Sequence, residues 1–369
     1  MRVCQTANFD APSIALNGVA PKAPPKKKQL TMKKRLLIIM AFLLTLSVAG
    51  AEAKKKKITP EQRGVATINR TTAEAHVGFL ASDALRGRES GTPDGYIAGE
   101  YLISVLKQMG ATPLFGNSYV QNFEAYSIER RNAGFTVNPE GIEKIKKGAH
   151  RIAPMRNILA KIEGKNPEEI VVVGAHYDHL GYDPMLVGDK IFNGADDNAS
   201  GVQAVLQILR AFLATGEKPE RTVIFALWDG EERGLLGSTY FVNNFSQMKK
   251  VKGYMNFDMI GRNNMEHRPK HFNLMYMPQD SLFAKWLKTD IEAHTLQLDP
   301  NFVTSEDFSG GSDQVPFFKA GAKIVWYQTG AQPDFHMPTD ECDRINWDKM
   351  VEITKAAFLC LWKMANLSF

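Results

Sequence analysis

Cysteine is scarce in this chain: Cys4, Cys342 and Cys360 are the only three among 369 residues. Three cysteines are too few for a disulfide framework, and none has the paired spacing of a thiolate metal site. Cys342 and Cys360 could pair in an oxidising compartment, but two unpaired thiols, with Cys360 in a helix core, fit the pattern better. Any bound metal must therefore use nitrogen and oxygen ligands.

A long apolar run is also missing. The run from Leu36 to Val48 is too short for a comfortable membrane span. It follows Lys33-Lys34-Arg35 and precedes Ala51-Glu52-Ala53, the order of charged region, apolar region and cleavage site in a signal peptide. We therefore expect a signal peptide at 32–53 that starts near Met32, export to the periplasm or medium, and no stable membrane anchor. An uncleaved anchor is the lesser alternative.

The net charge of +5 does not indicate a nucleic-acid partner. Ten of the basic residues lie in three short runs, at 26–28, 33–35 and 54–57, and the rest of the chain is acidic. We therefore expect no nucleic-acid binding. Residues 1–31 are rich in Pro and Lys and are expected to form an unstructured extension, or not to be translated at all. Residues 54–69 are expected to be a linker and residues 70–369 a single domain.

Strand patterns alternate with helical patterns from residue 170 onward. Continuous apolar runs predict buried strands at 170–174, 221–228, 255–259 and 323–328. The 3.6-residue period predicts helices at 71–80, 96–109, 201–215, 235–245, 282–294 and 347–364. Residues 118–161 alternate weakly, which suggests short strands, with an edge strand at 157–162. The pattern predicts an α/β fold, a three-layer αβα sandwich with a mixed, mainly parallel central sheet.

Each of these four strands ends in, or is closely followed by, an acid or a histidine. The residues concerned are His176 and Asp178, Glu231 and Glu232, Asp258, and His336. A fifth acidic cluster, Asp196-Asp197-Asn198, opens the helix at 201. Ligands of open α/β sheets bind in the crevice beyond the carboxyl ends of the strands. Two histidines and several carboxylates converging there predict a metal site, with room for two metals.

Every one of these signals has an ordinary explanation when taken alone. The acids at 196–198 could simply cap a helix, Glu231 and Glu232 could be a solvated pair favoured by a helix dipole, and Asp258 could pair with Arg262. Taken jointly, they have chemical roles. Asp178 suits the carboxylate that holds the second ring nitrogen of a ligating His176.

The acidic clusters at 196–197 and 231–232 could supply a carboxylate that bridges two metal ions and a general base. One carboxylate of 196–197 can bridge two cations, and we predict Asp196. One of Glu231 and Glu232 can bind metal while the other faces the attacking water. Two divalent ions are balanced by Asp196, Glu232, Asp258 and a bridging hydroxide. Imidazole and carboxylate ligands suit two Zn²⁺, for which Co²⁺ or Mn²⁺ could substitute.

Five motifs in this order resemble the co-catalytic dizinc aminopeptidase family of the aminopeptidase Y and aminopeptidase S type. They are His176-Tyr-Asp-His-Leu-Gly181, Asn193-Gly-Ala-Asp-Asp-Asn-Ala-Ser-Gly201, Gly230-Glu-Glu-Arg-Gly-Leu-Leu-Gly-Ser238, Asn256-Phe-Asp-Met-Ile-Gly261 and His336-Met-Pro-Thr-Asp340. The segment 80–93 is also similar to the family's N-terminal portion. The resemblance covers residues 70–365 and implies a zinc-exopeptidase fold and an exopeptidase that removes N-terminal residues.

The resemblance also implies a role for each site residue. His176 and Asp258 would bind one zinc, Glu232 and His336 the other, and Asp196 would bridge them. Glu231 matches the general base. The peptide bond between Asp196 and Asp197 would be cis.

The sequence departs from the family pattern at two positions. Gln314 stands where many relatives have histidine, and Phe335 where some members have a tyrosine. No large insertion fits between 110 and 170, so we expect the compact, single-domain version.

Other readings of the same centre stay open. One is a one-zinc glutaminyl cyclase, to which 228–232 has some likeness. A dipeptidase or carboxypeptidase specificity is a second, and a non-catalytic peptide-binding relative is a third. The sequence does not indicate side-chain preference or oligomeric state.

Overall fold

A mixed β-sheet runs through the protein and carries helices on both of its faces. The structure is a computed structural model that describes residues 58–130 and 133–369. The strands are β1 Thr112–Pro113, β2 Val120–Ile128, β3 His150–Ile162, β4 Asn166–His176, β5 Gly181–Tyr182, β6 Ile191–Phe192, β7 Arg221–Trp228, β8 Val251–Phe257, β9 His271–Tyr276, β10 Asp299–Thr304 and β11 Lys323–Gln328. The longer helices are α1 Pro60–Val65, α2 Arg70–Leu80, α3 Pro93–Gln108, α4 Pro139–Ile145, α5 Gly201–Thr215, α6 Leu236–Asn244, α7 Leu282–His294, α8 Gln314–Lys319 and α9 Trp347–Asn366.

The sheet has a parallel centre and antiparallel flanks. Its order is β1-β3-β7-β4-β8-β11-β9-β10, with β2 also paired to β3. The four strands β7, β4, β8 and β11 run parallel to their neighbours, while β3 and β9 are antiparallel to this group. The carboxyl ends of all four central strands therefore meet at one edge of the sheet.

Successive side chains of the central strands point to opposite faces of the sheet and pack into two separate hydrophobic cores. Val171 and Val173 of β4 face the larger core, which includes residues of α2, α5, α7 and α9, while Ile170 and Val172 face the opposite side. That second core contains Phe241 of α6 and residues of α8. A strand covered on both faces needs apolar residues at every position, which explains the uninterrupted runs in the sequence. The three-layer αβα sandwich and the mixed sheet are confirmed.

The antiparallel flanks are where the sequence patterns were least informative. The edge strand expected at 157–162 is the end of the longer β3, which lies inside the sheet between β7 and the β1 and β2 strands. The strands β9 and β10 were not predicted; β10 is half-exposed and contains Pro300, which masks its pattern.

The described part of the expected linker at 54–69 is folded. Helix α1 begins at Pro60, and Arg63 donates hydrogen bonds to the carbonyl of Thr215. The proposed signal peptide and N-terminal extension lie outside the described residues. No helix in 58–130 or 133–369 is long and apolar enough to cross a bilayer.

Candidate metal centre

The residues expected at the strand ends do converge. His176 is the last residue of β4, Glu231 and Glu232 follow β7, and Asp258 follows β8. His336 lies in the loop after β11, and the acidic loop before α5 completes the set. Because these strands are parallel neighbours, their carboxyl ends carry the side chains to one place.

Asp197 lies between the two histidines, and each of its carboxylate oxygens faces one of them. Its Oδ1 is 3.2 Å from Nε2 of His176, and its Oδ2 is 3.3 Å from Nε2 of His336. Asp258 Oδ1 lies 3.5 Å from the same nitrogen of His176, and Glu232 Oε2 lies 3.1 Å from that of His336. The arrangement has two halves, each with one histidine and one carboxylate, and Asp197 is common to both.

These separations fit atoms that share a metal ion. Two ligands of a tetrahedral zinc, each bound at about 2.0–2.1 Å, are roughly 3.3 Å apart. The buried Oδ1 of Asp197 also has no hydrogen-bond partner among the described residues, although buried polar atoms are normally paired. A cation between Asp197 and His176 would satisfy it. The donor set of imidazole nitrogens and carboxylate oxygens therefore fits zinc.

The prediction that Asp196 bridges the two ions is wrong on this geometry. The Oδ1 atom of Asp196 accepts hydrogen bonds from the backbone N–H groups of Gly261, at 2.6 Å, and Arg262, at 3.1 Å. The Asp196 side chain thus holds the loop after β8 in place by hydrogen bonds. The side chain of the next residue, Asp197, points at the two histidines. The cis peptide bond is likewise one position later than expected, between Asp197 and Asn198.

Asp340 and Asn198 hold the acidic loop in place. The Asp340 carboxylate accepts N–H hydrogen bonds from Asp196, at 3.0 and 3.1 Å, and from Asp197, at 2.9 Å. The side chain of Asn198 donates to the carbonyl of Phe257 at 2.8 Å and accepts from the N–H of Gly201 at 3.0 Å. The loop is therefore attached to β8, to α5 and to the loop that contains His336.

Asp178 lies behind the centre, but its backbone carbonyl, rather than the predicted carboxylate, is within hydrogen-bond distance of Nδ1 of His176, at 3.2 Å. Its Oδ1 is 3.6 Å from Nδ1 of His176. It also accepts the backbone N–H groups of Glu231, at 3.1 Å, and Glu232, at 3.3 Å, and the hydroxyl of Ser90, at 2.7 Å. One carboxylate thereby fixes the position of the β7 turn relative to the end of β4.

His179 belongs to the site, although the sequence interpretation gave it no role there. Its Nδ1 is 2.7 Å from Oε1 of Glu232, and its ring meets that of His336 edge to face at 6.0 Å. A histidine that holds a ligating carboxylate in position is a common supporting element of metal sites. The sequence feature from which this role could have been predicted is the position of His179, one residue after Asp178 in the loop that follows a buried strand.

The carboxylates of the centre require a compensating positive charge. Asp197 and Glu232 raise the pKa of His336 to about 10. Burial lowers the pKa of His176, but Glu231, Asp178, Asp197 and Asp258 outweigh it and raise that pKa well above the usual range. A ligating imidazole is neutral. Bound cations would therefore supply the charge that protonated histidines supply in their absence.

Glu231 is close enough to act on chemistry at this centre. Its carboxylate has an oxygen within 4.8 Å of donor atoms of both His176 and Asp258. Burial, together with Asp258, Asp313 and Glu232, raises its pKa well above that of an ordinary glutamate. A raised pKa is the property that a carboxylate needs to accept and return a proton near neutral pH.

The two departures from the family pattern have local structural roles. Gln314 accepts hydrogen bonds from the side chain of Asn256 and the N–H of Ser312, and donates to the carbonyl of Gly310. Phe335 stacks on His336 with ring centroids 3.8 Å apart. Gln314 therefore orders the loop before α8, and Phe335 covers one face of a candidate ligand.

Curated proteins similar in sequence to this chain include aminopeptidases. Aminopeptidase Y of Saccharomyces cerevisiae is 29% identical over 214 residues, which is 54% of this chain and 37% of that protein. An aminopeptidase of Pseudomonas aeruginosa is 33% identical over 183 residues, 48% of this chain and 31% of its own length. The match thus spans about a third of these curated relatives.

Solved structures agree in fold. A zinc aminopeptidase from Bacillus subtilis has a TM-score of 0.61 at 17% identity, over 81% of this chain and 96% of that one. Porphyromonas gingivalis glutaminyl cyclase has a TM-score of 0.59 at 18% identity, over 81% and 99%. The model of peptidase family M28 matches residues 157–360, more than half of the sequence. The chain therefore belongs to peptidase family M28.

Proposed function

We propose that this protein is an exported aminopeptidase that uses two zinc ions. The observation that carries the proposal is the position of Asp197, with one carboxylate oxygen 3.2 Å from Nε2 of His176 and the other 3.3 Å from Nε2 of His336. A carboxylate that faces two histidines through separate oxygens is suited to join two ions. The aminopeptidases among the relatives support the substrate class.

Each ion would have its own histidine and carboxylate. His176 and Asp258 would hold one ion, His336 and Glu232 the other, and Asp197 both. Replacing Asp196 by Asp197 as the bridge leaves the ligand charge unchanged at three carboxylates. The ions would polarise the substrate carbonyl and activate the attacking water.

Glu231 is the proton carrier in this mechanism. It accepts a proton from the attacking water and passes it to the nitrogen of the leaving peptide. Asp178 keeps it in place by accepting the Glu231 N–H, so the carboxylate stays beside the His176 half of the centre. His179 holds Glu232 on the other side.

The test is a substrate panel read by mass spectrometry. The wild-type protein is incubated with peptides and aminoacyl amides whose N-terminus is free or acetylated, with and without chelator. We expect removal of free N-terminal residues, no reaction of acetylated peptides and no reaction with chelator present. Release of C-terminal residues from acetylated peptides would instead indicate a carboxypeptidase.

The variant Glu231→Gln separates proton transfer from metal binding. We expect it to retain two zinc ions per chain and to lose most turnover. Glu217→Gln, which changes a half-exposed surface glutamate, is the matched control and should behave as wild type. Near-normal kcat in Glu231→Gln would rule out this residue as the base.

A glutaminyl cyclase is the second candidate, because the Porphyromonas gingivalis enzyme shares the fold. The geometry favours the aminopeptidase, since His176 and Asp258 complete a second half-site beside Asp197. One zinc per chain, together with cyclisation of N-terminal glutamine, would reverse this choice.

Export is the remaining part of the proposal. It is supported by the basic, apolar and small-residue order of residues 33–53. N-terminal sequencing of the protein secreted by an expression host is expected to start at Lys54. Retention of the full-length chain in the cell would argue against it.

A further inference from the structure

A short segment outside the family-model match touches several parts of the metal centre. The match covers 157–360, whereas Arg88, Glu89 and Ser90 lie in the loop before α3. Gly87 makes the approach possible: its φ of +73° suits glycine, and a Cβ there would lie 2.2 Å from the carbonyl oxygen of Gly181. The loop is thus pressed against the chain that follows β4.

Arg88 makes the largest number of these contacts. Its side chain is fully buried, and its side-chain hydrogen bonds within residues 58–130 and 133–369 all go to backbone carbonyls. The acceptors are Tyr177 at 2.8 Å, Leu80 at 3.1 Å, Gly194 at 2.8 Å, Asp197 at 3.0 Å and Asn193. A guanidinium has five N–H groups, so the set uses its full donor capacity.

Apart from Leu80 at the end of α2, the acceptors belong to two different parts of the centre. Tyr177 directly follows His176 at the end of β4, while Asn193, Gly194 and Asp197 are in the acidic loop. The two parts are far apart in sequence and must supply ligands to the same ion. A rigid, planar donor between them sets the distance from one to the other.

Arg88 also brings a positive charge close to the carboxylates. Burial lowers its pKa, while the charges of Asp197, Asp340, Asp178 and Glu232 raise it. Its neighbours extend the contact: Ser90 donates to Asp178 at 2.7 Å, and Glu89 pairs with Arg233, the residue after Glu232. The segment therefore supports both halves of the site from behind.

We propose that Arg88 is a positioning residue that sets the relative placement of His176 and Asp197 and thereby the zinc affinity of the site between them. It touches no reacting atom in this role. The inference rests on the proposed metal-binding role of Asp197. A merely structural arginine would contribute to the stability of the fold but would leave the zinc affinity unchanged.

The test measures zinc affinity of the metal-free protein by competition with a chelating indicator, alongside unfolding by denaturant. The variant is Arg88→Lys, which keeps the charge but has three donors and no planar fork. We expect zinc to bind about 10–100-fold more weakly, as is typical when a group supporting the ligands is lost. A lower kcat at saturating zinc, with little change in KM, is expected to accompany it.

Arg156→Lys is the matched control. Arg156 is also buried and donates to Glu100 and to the carbonyl of Tyr96, but its side chain reaches neither the acidic loop nor the end of β4 in these contacts. It should lose stability and keep its zinc affinity. Wild-type affinity in Arg88→Lys, or an equal loss in both variants, would overturn the proposal.

A further variant covers the case in which Arg88→Lys does not fold. Arg88→Ala leaves a space that free guanidinium can enter, and low concentrations of guanidinium should restore zinc affinity to it but not to Arg156→Ala. Absence of rescue would count against Arg88. Failure of the proposed function would be seen separately, in the wild-type protein. That protein would then bind a number of zinc ions other than two per chain, or would have no aminopeptidase activity.

Discussion

The backbone N–H of Asp197 donates a 2.9 Å hydrogen bond to the carboxylate of Asp340. The same carboxylate accepts the N–H of Asp196. Asp340 lies four residues after His336, in the same loop. The loop that carries one histidine and the loop that carries the shared carboxylate are therefore joined directly, and neither can shift without the other.

Removing this link should weaken both the fold and the metal site. Asp340→Ala leaves two buried N–H groups without an acceptor, and each costs about 1–3 kcal/mol of unfolding free energy. We expect a lower denaturant midpoint and weaker zinc binding. Asp343→Ala, an exposed acid in the same loop, is the control and should change neither. Unchanged stability in Asp340→Ala would contradict the assigned role.

The adjacent acids Asp196 and Asp197 should respond differently to the same substitution. Asp197→Asn removes the carboxylate that faces both histidines, so it should abolish tight binding of at least one zinc and most activity. Asp196→Asn keeps an oxygen for the N–H groups of Gly261 and Arg262, and should retain both ions.

Zinc analysis of the two purified variants, together with steady-state kinetics, decides between them. The reverse pattern, with Asp196→Asn losing metal and Asp197→Asn retaining it, would restore Asp196 as the bridge.

Metal removal should abolish activity reversibly. Dialysis against a chelator is expected to abolish peptidase activity, because the attacking water and the substrate carbonyl lose their activating ions. Zinc is then titrated into the metal-free protein, and binding is monitored by calorimetry. Binding should saturate at about two ions per chain, and peptidase activity should return. Full activity at one equivalent would favour a single catalytic ion.

His76 should make the fold less stable in acid. It is buried in α2, with Nδ1 2.8 Å from the hydroxyl of Tyr101, and burial, helped by Arg210, lowers its pKa from 6.5 to about 4. The unfolded chain takes up this proton below about pH 6.5, but the folded chain does so only near pH 4. Unfolding free energy should therefore fall as the pH drops through this window, by up to about 3 kcal/mol from this group.

His76→Gln has no titrating ring and isolates the contribution. The measurement is denaturant unfolding of the wild type and the variant at pH 7, 6, 5 and 4. The difference in stability between the two should shift in favour of His76→Gln as the pH falls. A constant difference across the series would show that the pKa of His76 is not lowered in the fold.

Sequence patterns predicted the centre of the molecule better than its margins. The buried parallel strands could be recognised because both faces are covered, so the run 170–174 is apolar throughout. The half-exposed β10 has no such run. Among the site residues, His176, Glu232, Asp258 and His336 could be predicted because each lies at the carboxyl end of a strand or in the loop after it. The choice between Asp196 and Asp197 depends on which way an irregular loop turns, and no local pattern specifies that.

The contacts of Arg88 have a practical consequence for where a functional fragment of this protein can begin. A recombinant piece cut at residue 157, where the family match starts, would contain every proposed metal ligand. It would nevertheless leave the carbonyls of Tyr177 and Gly194 without the guanidinium that they share. If Arg88 positions the proposed ligands, those five residues alone are not sufficient, and we expect the smallest active fragment to begin upstream of the loop before α3.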